Sequence, residues 1–463
     1  MLALSFDGGS FRDPEGSVFC YEGEVYRTLT SSSADRMSCL LKVPFFKKLV
    51  QEGKVIDTNL LESSNVFPEN FPVTKQVLWH EKIPFITHPF EWTFSMLKDG
   101  ALLTLDLMEV LLEHNYILKD GTAWNICLHK GNPCFFDILS INSYQDGQPW
   151  EGFSQFLQEF LYPLMLQAYH GIDFQPLWRS TQQGIPVNLL YKTLSKTSLF
   201  KKGVFKYVYL QEKFSASKTI SETTLRNEFS TLAFQKKDLI RLLKDLRTCV
   251  ESLHITKDQS VWKDYASQNS YEGSDTKEKE NFIEGSLKKL KPSVVMDLGC
   301  NTGHYSLIAS KQAQVISCDL DTTCLDRIYL RKEKNILPVV LNLMTPSPSM
   351  GWRLNERKDI FTRLKADTFL SLALIHHLCI SHNVPLASFV KFLKSIASRG
   401  IVEWVDKSDP MVQFLLRNRT DIFDSYTLEN FQSLISQDFN IEKMTPLNNG
   451  TRQLLLLSEK IKV

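Results

Sequence analysis

A glycine-bracketed turn constrains the fold of this chain more than any other feature. An apolar run, residues 294–296, leads to Asp297, and the turn at residues 299–303 precedes a helical pattern. This order predicts a parallel strand whose carboxyl end meets a turn and the N-terminus of a helix. Glycine lets backbone N–H groups approach a ligand without an intervening Cβ. Because open α/β sheets bind ligands at this edge, the turn predicts a site for a small cofactor.

The glycine spacing excludes two common kinds of phosphate site. A dinucleotide fingerprint has the pattern G-x-G-x-x-G, and a phosphate loop has G-x-x-x-x-G-K-[ST]. This turn has the pattern D-x-G-x-x-x-G and carries no lysine or arginine. It resembles motif I of the class I S-adenosylmethionine-dependent methyltransferases, whose sulfonium cofactor has no pyrophosphate. The alternative is a strand–turn–helix whose glycines serve only close packing.

Two further strand ends support the cofactor hypothesis. A short apolar strand ends at Asp319, 20 residues after Gly299, where a carboxylate can accept both hydroxyls of a ribose. A third apolar run, residues 337–341, ends at Asn342, which can bond the adenine amino group. Many class I methyltransferases carry Asp at that place, and Asn keeps an acceptor. Asp321 is interpreted as a helix-start residue, because acidic side chains favour the first turn of a helix.

The resemblance thus implies S-adenosyl-L-methionine as the cofactor. The predicted cofactor-binding residues are Asp297, Gly299, Asn301, Gly303, Asp319, Leu320, Asn342 and Leu343.

Candidate groups for methyl transfer follow the fourth and fifth predicted strands. A hydroxyl or ammonium nucleophile needs a general base, and a neutral imidazole has a suitable pKa. We expect Glu403 and His376 to be the first candidates, His377 the second, and His304 the last. The alternatives are that the histidines orient neighbouring helices, that Glu403 is a solvated strand end, and that His304 caps a helix turn.

Composition limits the other classes of function. The net charge of +1 gives no strong signal for nucleic-acid binding. Nine cysteines form no C-x-x-C pair, which indicates reduced thiols and no metal site. The N-terminus lacks a basic segment typical of signal peptides, and no apolar run approaches the ~18 residues of a membrane span. We therefore expect a cytoplasmic protein without a membrane partner.

Alternating strands and helices after residue 293 predict an α/β architecture with a doubly wound sheet. The resemblance implies a Rossmann-like class I methyltransferase domain over residues 293–463, ending in an antiparallel strand. Residues 1–250 are expected to form an α+β substrate or accessory domain. A polar connecting or lid segment would span residues 251–292.

Three aromatic side chains in the connecting segment, Trp262, Tyr265 and Tyr271, are candidates for a lid over the cofactor. Packing on the domain surface is the alternative. Within the C-terminal domain, the pattern predicts a helix over residues 355–365.

The N-terminal half carries a second motif. Asp120 and Asn125 have the spacing D-x-x-x-x-N, and Asp137 follows twelve residues later. This pattern resembles the catalytic and metal loops of protein-kinase-like phosphotransferases. If the segment follows the order of elements in such proteins, residues 82–85 are predicted to form the hinge strand. Lys119 departs from the kinase pattern.

Two kinase features are not recognisable from the sequence. The predicted hairpin over residues 11–28 has no glycine-rich phosphate loop, and no lysine–glutamate pair stands out. A degenerate kinase-like fold for substrate binding, an active phosphotransferase and a simple turn at Asp120 all remain open.

The phrase ALIHHLCISHNVPL at residues 373–386 and FRDPEGSVF at residues 11–19 resemble a narrower group. These are the bacterial methyltransferases related to the rhizobial host-specificity nodulation protein. The resemblance implies glycan or lipo-oligosaccharide modification, so a small-molecule or glycan-like acceptor is expected. The alternatives are an RNA- or protein-directed methyltransferase and a non-catalytic or bifunctional protein. No N/D-P-P-[YF] motif follows the fourth strand.

Overall fold

The structure is a computed structural model that describes residues 4–68, 71, 73–216, 235–255, 273–447 and 450–460. The chain divides into two compact units. The first unit comprises Met1–Asp258 and Ser347–Asp359, and the second comprises Gln259–Pro346 and Ile360–Val463. The predicted lid residues Trp262, Tyr265 and Tyr271 lie outside the described residues.

The first unit contains a five-stranded antiparallel sheet in the order β1-β2-β3-β5-β4. Its strands are β1 (Ser5–Phe6), β2 (Val18–Tyr21), β3 (Glu24–Thr28), β4 (Thr58–Glu62) and β5 (Gln76–His80). The turn between β2 and β3 is Glu22-Gly23, and both residues have positive φ, 51° and 87°. Such a two-residue turn matches the twist of a hairpin, which confirms the hairpin predicted there.

Two short hairpin-like sheets follow the five-stranded sheet. They pair β6 (Tyr116–Leu118) with β9 (Ile141–Ser143), and β7 (Ile126–His129) with β8 (Asn132–Phe135). The predicted hinge strand at residues 82–85 is wrong, because β5 ends at His80. Pro84 lies in that segment and has no N–H to donate to a sheet.

The first unit has nine described α-helices. They are α1 (Ser31–Leu40), α2 (Pro44–Gln51), α3 (Phe94–Glu113), α4 (Phe153–Phe156), α5 (Tyr162–His170), α6 (Phe174–Trp178), α7 (Val187–Thr193), α8 (Leu210–Ala216) and α9 (Lys236–Ser252). A π-helical segment, Leu157–Leu161, joins α4 to α5. The long helix α3 starts where Thr93 Oγ1 accepts a hydrogen bond from the Met96 N–H, which caps the helix.

The second unit contains a seven-stranded sheet. Its strands are β10 (Val294–Leu298), β11 (Gln314–Asp319), β12 (Ile336–Val340), β13 (Thr368–Ser371), β14 (Gly400–Val405), β15 (Phe439–Leu447) and β16 (Arg452–Glu459). The order is β12-β11-β10-β13-β14-β16-β15. Strands β10 to β14 pair in parallel, whereas β16 is antiparallel to both of its neighbours. This confirms the predicted α/β sheet with an antiparallel strand formed by the end of the chain.

Seven α-helices of the second unit are described. They are α10 (Gly273–Leu290), α11 (His304–Ser310), α12 (Thr322–Leu330), α13 (Ile360–Arg363), α14 (Leu386–Ile396), α15 (Pro410–Leu416) and α16 (Leu428–Asp438). Helix α10 occupies part of the segment predicted to be a polar connection. Its buried Ile283 and Leu287 pack in one hydrophobic cluster with Val295 of β10. None of the helices in the described ranges is long and apolar enough to cross a membrane.

Residues 347–359 depart from the predicted domain division. The sequence placed them in the C-terminal domain, but they pack with the first unit. Glu356 accepts hydrogen bonds from Arg12 at 2.5 Å and Gln182 at 3.2 Å, and the Arg357 guanidinium lies 4.8 Å from the Trp124 ring centre. These long-range contacts explain why local patterns did not predict the arrangement.

The predicted helix over residues 355–365 is confirmed only in part. Helix α13 covers only Ile360–Arg363. Arg353 and Leu354 have φ of 56° and 59°, and Met350 pairs with Arg357 in an antiparallel bridge. Because the Arg357 N–H and carbonyl bond to Met350, the residues before Ile360 do not join the helix.

Two glycines of the second unit have opposite steric surroundings. A Cβ added to Gly400, the first residue of β14, would lie 2.5 Å from the backbone oxygen of Phe369 and 2.4 Å from its ring. A Cβ on Gly285, in helix α10, would meet nothing within 4 Å. Gly400 therefore permits the close approach of β14 to β13, whereas Gly285 serves no packing purpose in this structure.

We expect Gly400→Ala and Gly285→Ala to change stability in opposite directions. Gly400→Ala should lower the free energy of unfolding by about 1–3 kcal/mol through overpacking. Gly285→Ala should raise it by about 0.5–1 kcal/mol, because alanine is the better helix former. Differential scanning calorimetry of the two variants would check this. Equal stability of the two variants would contradict the steric account.

Candidate active site

The glycine-bracketed turn follows β10 and connects it to α11. Gly299, Asn301 and Gly303 have φ of 74°, 49° and 77°, in the left-handed region that favours glycine. The N–H groups of Gly299 and Cys300 both donate to the Cys318 carbonyl oxygen, at 2.8 and 3.0 Å. The turn is thereby fixed to the neighbouring strand β11. Glycine also suits position 303 because a Cβ there would lie 2.7 Å from Ile328 Cδ1 and would force that side chain to move.

Asp297 is the buried carboxylate below the turn. Its Oδ2 accepts a hydrogen bond from Ser306 Oγ at 2.6 Å, and Ser306 Oγ in turn accepts one from Ser317 Oγ at 2.8 Å. Burial raises the pKa of Asp297 to about 6. The two hydroxyls hold the carboxylate in one orientation, but they do not compensate fully for its loss of water.

Asp319 is the last residue of β11, as predicted, and its carboxylate is held by the backbone. Oδ2 accepts from the Asn301 N–H at 2.7 Å, and Oδ1 accepts from the Asp321 N–H at 2.9 Å. Burial raises the pKa of Asp319 above its ordinary value. A carboxylate oxygen can accept more than one hydrogen bond, so both oxygens keep capacity for a ligand. Asp321 itself caps helix α12, accepting from the N–H groups of Thr323 and Cys324.

Asn342 lies two residues beyond the end of β12. Its Oδ1 accepts from the Met344 N–H at 2.9 Å, which fixes the amide. Leu320 and Met344, which follow the ends of β11 and β12, expose 59% and 41% of their surface, although they are large apolar side chains. Exposed apolar groups beside polar strand ends are typical of a ligand site. Leu343 is half-buried.

The structure thus brings together the predicted cofactor residues. Asp297, Asp319 and Asn342 lie at or near the carboxyl ends of β10, β11 and β12, which are neighbours in the parallel sheet. The turn at residues 299–303 lies between the first two, because its N–H groups bond to Cys318 and Asp319. The sequence did not identify Met344, Ser306 or Ser317 as part of this edge.

The two histidines follow β13. His376 is fully buried, and neither ring nitrogen has a hydrogen-bond partner among the described residues. Burial lowers the pKa of His376 well below 6.5, with the neighbouring His377 acting in the same direction. The two ring centres are 4.2 Å apart, and burial lowers the pKa of His377 to about 4. Both imidazoles are therefore neutral near pH 7.

Glu403 departs from the predicted environment. It lies inside β14 instead of at its end, and it is fully buried rather than solvated. Its Oε2 accepts from Lys279 Nζ at 2.6 Å, and its Oε1 accepts from Arg452 Nη1 at 3.2 Å. Arg452 Nε also donates to Asp409 at 2.7 Å. With two cations against it, this carboxylate is poorly placed to take a proton from a substrate.

Lys279, Arg452 and Asp409 were not singled out from the sequence. The sequence did contain a signal for a cationic partner, namely Glu403 within an apolar strand, because a buried carboxylate requires such a partner. His304, the last of the predicted candidates, is the first residue of α11 and is half-exposed. Its Nε2 lies 2.7 Å from Glu280 Oε1, which accounts for its side chain without a ligand. Among the described residues, no group of three or more His, Cys, Asp or Glu could hold a metal ion.

Two features define the class of protein to which the second unit belongs. One is the sheet, which has five parallel strands and an antiparallel strand inserted near its edge. The other is the turn after β10, with carboxylates at the neighbouring strand ends. It is a methyltransferase domain of the class I fold. The chain belongs to the family of the nodulation protein NoeA. It is 36% identical over 438 residues to NoeA of Rhizobium meliloti (strain 1021), covering 93% of this chain and 91% of that protein. No family model matches the chain.

Solved structures give only weak overlaps. The N-methyltransferase NodS of Bradyrhizobium japonicum WM9, in complex with S-adenosyl-L-homocysteine, is 8% identical with a TM-score of 0.31, over 40% of this chain and 88% of that one. The bifunctional kinase-methyltransferase WbdD is 16% identical with a TM-score of 0.29, over 43% of each chain. The methyltransferase domain of bacterial CtHen1-C is 17% identical with a TM-score of 0.30, over 40% and 100%. At these scores the overlaps assign no function.

The raised pKa of Asp297 predicts a pH-dependent effect of its removal. A carboxyl whose folded-state pKa is raised stabilises the fold below its unfolded pKa and loses that contribution as the pH rises through about 6. We expect Asp297→Asn to be more stable than the wild type at pH 7, by about 3 kcal/mol at most. The difference should shrink as the pH falls from 7 to 4, measured by denaturant unfolding.

Asp367→Asn is the matched control of opposite sign. Burial alone would raise the pKa of Asp367. Hydrogen bonds from Thr368 and from the N–H groups of Ser293 and Val294 outweigh that effect and hold the pKa below its ordinary value. Asp367→Asn should therefore lower the free energy of unfolding at pH 7, and this difference from the wild type should vanish at acid pH. If both variants were destabilised equally at pH 7, the assignment for Asp297 would be wrong.

Proposed function

We propose that this chain uses S-adenosyl-L-methionine to methylate a small-molecule or glycan-like acceptor. One observation carries the proposal: three adjacent strand ends present Asp297, Asp319 and Asn342 around a turn that requires glycine. Polar acceptors, exposed apolar side chains and a turn without a cation suit an adenosyl ligand that carries a positive charge. Bound S-adenosylmethionine would supply an electrophilic methyl group.

In this proposal, different residues at this edge of the sheet bind different parts of the cofactor. Asp319, fixed through the N–H groups of Asn301 and Asp321, would accept hydrogen bonds from the ribose hydroxyls. The Asn342 amide would bond the edge of the adenine. Leu320, exposed beside Asp319, would cover its face. Asp297 supplies negative charge near the turn, which favours a cationic ligand.

Neutral polar groups near the ends of β13 and β14 support the proposed type of methyl acceptor. His376 has a lowered pKa and no hydrogen-bond partner among the residues that the structure describes, so its imidazole can accept a proton from a hydroxyl without first losing one. Ser371 Oγ and Trp404 Nε1, in the neighbouring strands β13 and β14, are also buried and have no hydrogen-bond partner within the described part of the chain. Unpartnered donors and acceptors of this kind suit a neutral, hydroxyl-bearing acceptor. The family relationship to a nodulation protein agrees with a glycan-like acceptor.

Glu403 takes a different role in this proposal from the one expected. Its contacts with Lys279 and Arg452 make it a structural group that holds α10 and β16 against β14. Proton removal is therefore assigned to His376, with His377 beside it.

Cofactor binding is testable without knowing the acceptor. We expect saturable S-adenosylmethionine binding by calorimetry, weakened at least 10-fold in Asp319→Ala, because hydrogen bonds to a charged group contribute about 1.5–3 kcal/mol each. Asp424→Ala, which removes an exposed carboxylate of the same unit, is the control and should bind as the wild type does. Unchanged affinity in a folded Asp319→Ala would reject the placement of the ribose.

The role of His376 is testable with labelled cofactor. Purified protein incubated with a cell extract should transfer label to a product that mass spectrometry identifies. His376→Ala should keep the affinity for S-adenosylmethionine but lose about 10²–10⁴-fold in rate. The wild-type rate should stay constant from pH 8 to pH 6, because the pKa of His376 lies well below 6.5. His382→Ala, at a nearby exposed position, should remain active. A rate loss accompanied by an equal loss of cofactor affinity would contradict a proton-accepting role.

A further inference from the structure

The first unit carries a two-faced helix that the proposed methyl transfer does not use. A π-helical segment, Phe205–Tyr209, leads directly into α8. Tyr207 and Val208 are buried, whereas Phe205 and Lys206 are exposed. The helix therefore turns one face to the core of the unit and the other face to the solvent.

The inner face fixes the orientation of this helix. The Tyr162 hydroxyl donates to the Tyr207 carbonyl oxygen at 2.7 Å, and the Tyr207 hydroxyl donates to Asp245 Oδ2 at 2.5 Å. Lys206 Nζ donates to the same carboxylate at 2.7 Å. Because these bonds tie the helix to α5 and α9, the side chains of its outer face project from a fixed element of the fold.

Phenylalanine rings are strongly exposed on and beside the outer face. The exposed fraction is 54% for Phe205, 65% for Phe214 and 93% for Phe200, which precedes the helix. Phe205 stacks on the ring of Tyr209, with ring centres 5.5 Å apart, and Lys213 Nζ lies 5.6 Å from the centre of that tyrosine ring. Single exposed apolar side chains are normal, but three such rings so close in the sequence indicate an interaction site.

The same stretch is strongly basic, although the chain as a whole is nearly neutral. Residues 187–216 contain six lysines and one acidic residue, whereas the net charge of the whole chain is +1. Lys201 and Lys202 directly follow Phe200 and are exposed, as is Lys213. Positive charge is thus concentrated where the rings are exposed, and it is complementary to a partner that carries negative charge.

We name this combination the aromatic–lysine surface. It consists of Phe200, Phe205, Lys201, Lys202 and Lys213.

Anionic membrane lipids match both properties of the aromatic–lysine surface. A helix at a membrane interface buries its aromatic side chains at the boundary between head groups and acyl chains, while its lysines extend to the lipid phosphates. Nucleic acid would match the lysines alone, and the near-neutral charge of the whole chain gives no long-range attraction to such a polyanion. The exposed phenyl rings therefore favour a lipid partner.

We propose that the aromatic–lysine surface docks the protein reversibly on a bilayer of anionic lipids. The proposal differs from the expectation of a protein without a membrane partner. That expectation rested on the absence of a long apolar run, and such runs detect segments that span a bilayer rather than helices that lie on its surface.

Co-sedimentation of the full chain with lipid vesicles tests the proposal. We expect the protein to bind vesicles of equal parts phosphatidylglycerol and phosphatidylcholine at least 10-fold more tightly than vesicles of phosphatidylcholine alone, because each lysine near an anionic surface contributes about fivefold. Added salt should weaken the binding, since it screens exposed charges.

Two double variants separate the contributions of rings and charges. Phe200→Ser/Phe205→Ser should lower the affinity for the mixed vesicles at least 10-fold, because both rings lose their burial among the lipids. Lys202→Gln/Lys213→Gln should lower it about 25-fold, at about fivefold for each lysine.

Lys47→Gln/Lys82→Gln is the matched control. It removes the same charge at exposed positions in α2 and after β5, and it should bind as the wild type does. All three variants should keep the thermal unfolding midpoint of the wild type, because the replaced side chains are exposed.

Three outcomes would overturn the proposal. The first is a wild type that does not bind the mixed vesicles, and the second is an equal loss of affinity in the control. The third is a wild type that ignores both kinds of vesicle but is a dimer in sedimentation velocity, and that becomes a monomer in Phe200→Ser/Phe205→Ser. That result would assign the aromatic–lysine surface to a second copy of the chain.

Discussion

The second unit depends on a buried carboxylate that is neutralised by residues distant in the sequence. Glu403 lies in the middle of β14 with no exposed surface, between Lys279 of α10 and Arg452 of β16. Arg452 is itself held by Asp409, which caps α15, so two carboxylates balance two cations. Removing one member of such a set leaves a buried charge and costs about 3–5 kcal/mol. The network therefore fixes a helix and two strands to one another by more than apolar packing.

The candidate active site shows the opposite arrangement. Asp297 has two serine hydroxyls in a chain but an elevated pKa, and the two ring nitrogens of His376 have no partner in the described ranges. These groups lower the stability of the fold in the absence of a ligand. Active sites commonly retain such groups, because the same side chains must bind or deprotonate something later. The contrast separates Glu403, which is fully compensated, from the residues that we assign to chemistry.

The sequence predicted the cofactor edge because its determinants are local. Each strand ends at a polar residue, and parallel strands place their carboxyl ends at one edge, so Asp297, Asp319 and Asn342 were recognisable one by one. The partners of Glu403 were not, since Lys279 lies 124 residues before it. The sequence did not predict the packing of residues 347–359 with the first unit for the same reason. No local pattern records that Glu356 meets Arg12, 344 residues away.

The first unit contains a charge cluster built in the same way as the one around Glu403. Around Glu403, the Arg452 guanidinium contacts both Glu403 and Asp409, and Lys279 contacts Glu403 from the other side. Around Arg27, Asp13 and Asp137 share one guanidinium, and Asp120 has only Lys119 and the Ser140 hydroxyl to offset its burial. Arg27 therefore joins the β1–β2 loop and the residue after β8 to β3, as Arg452 joins β14 and the start of α15 to β16.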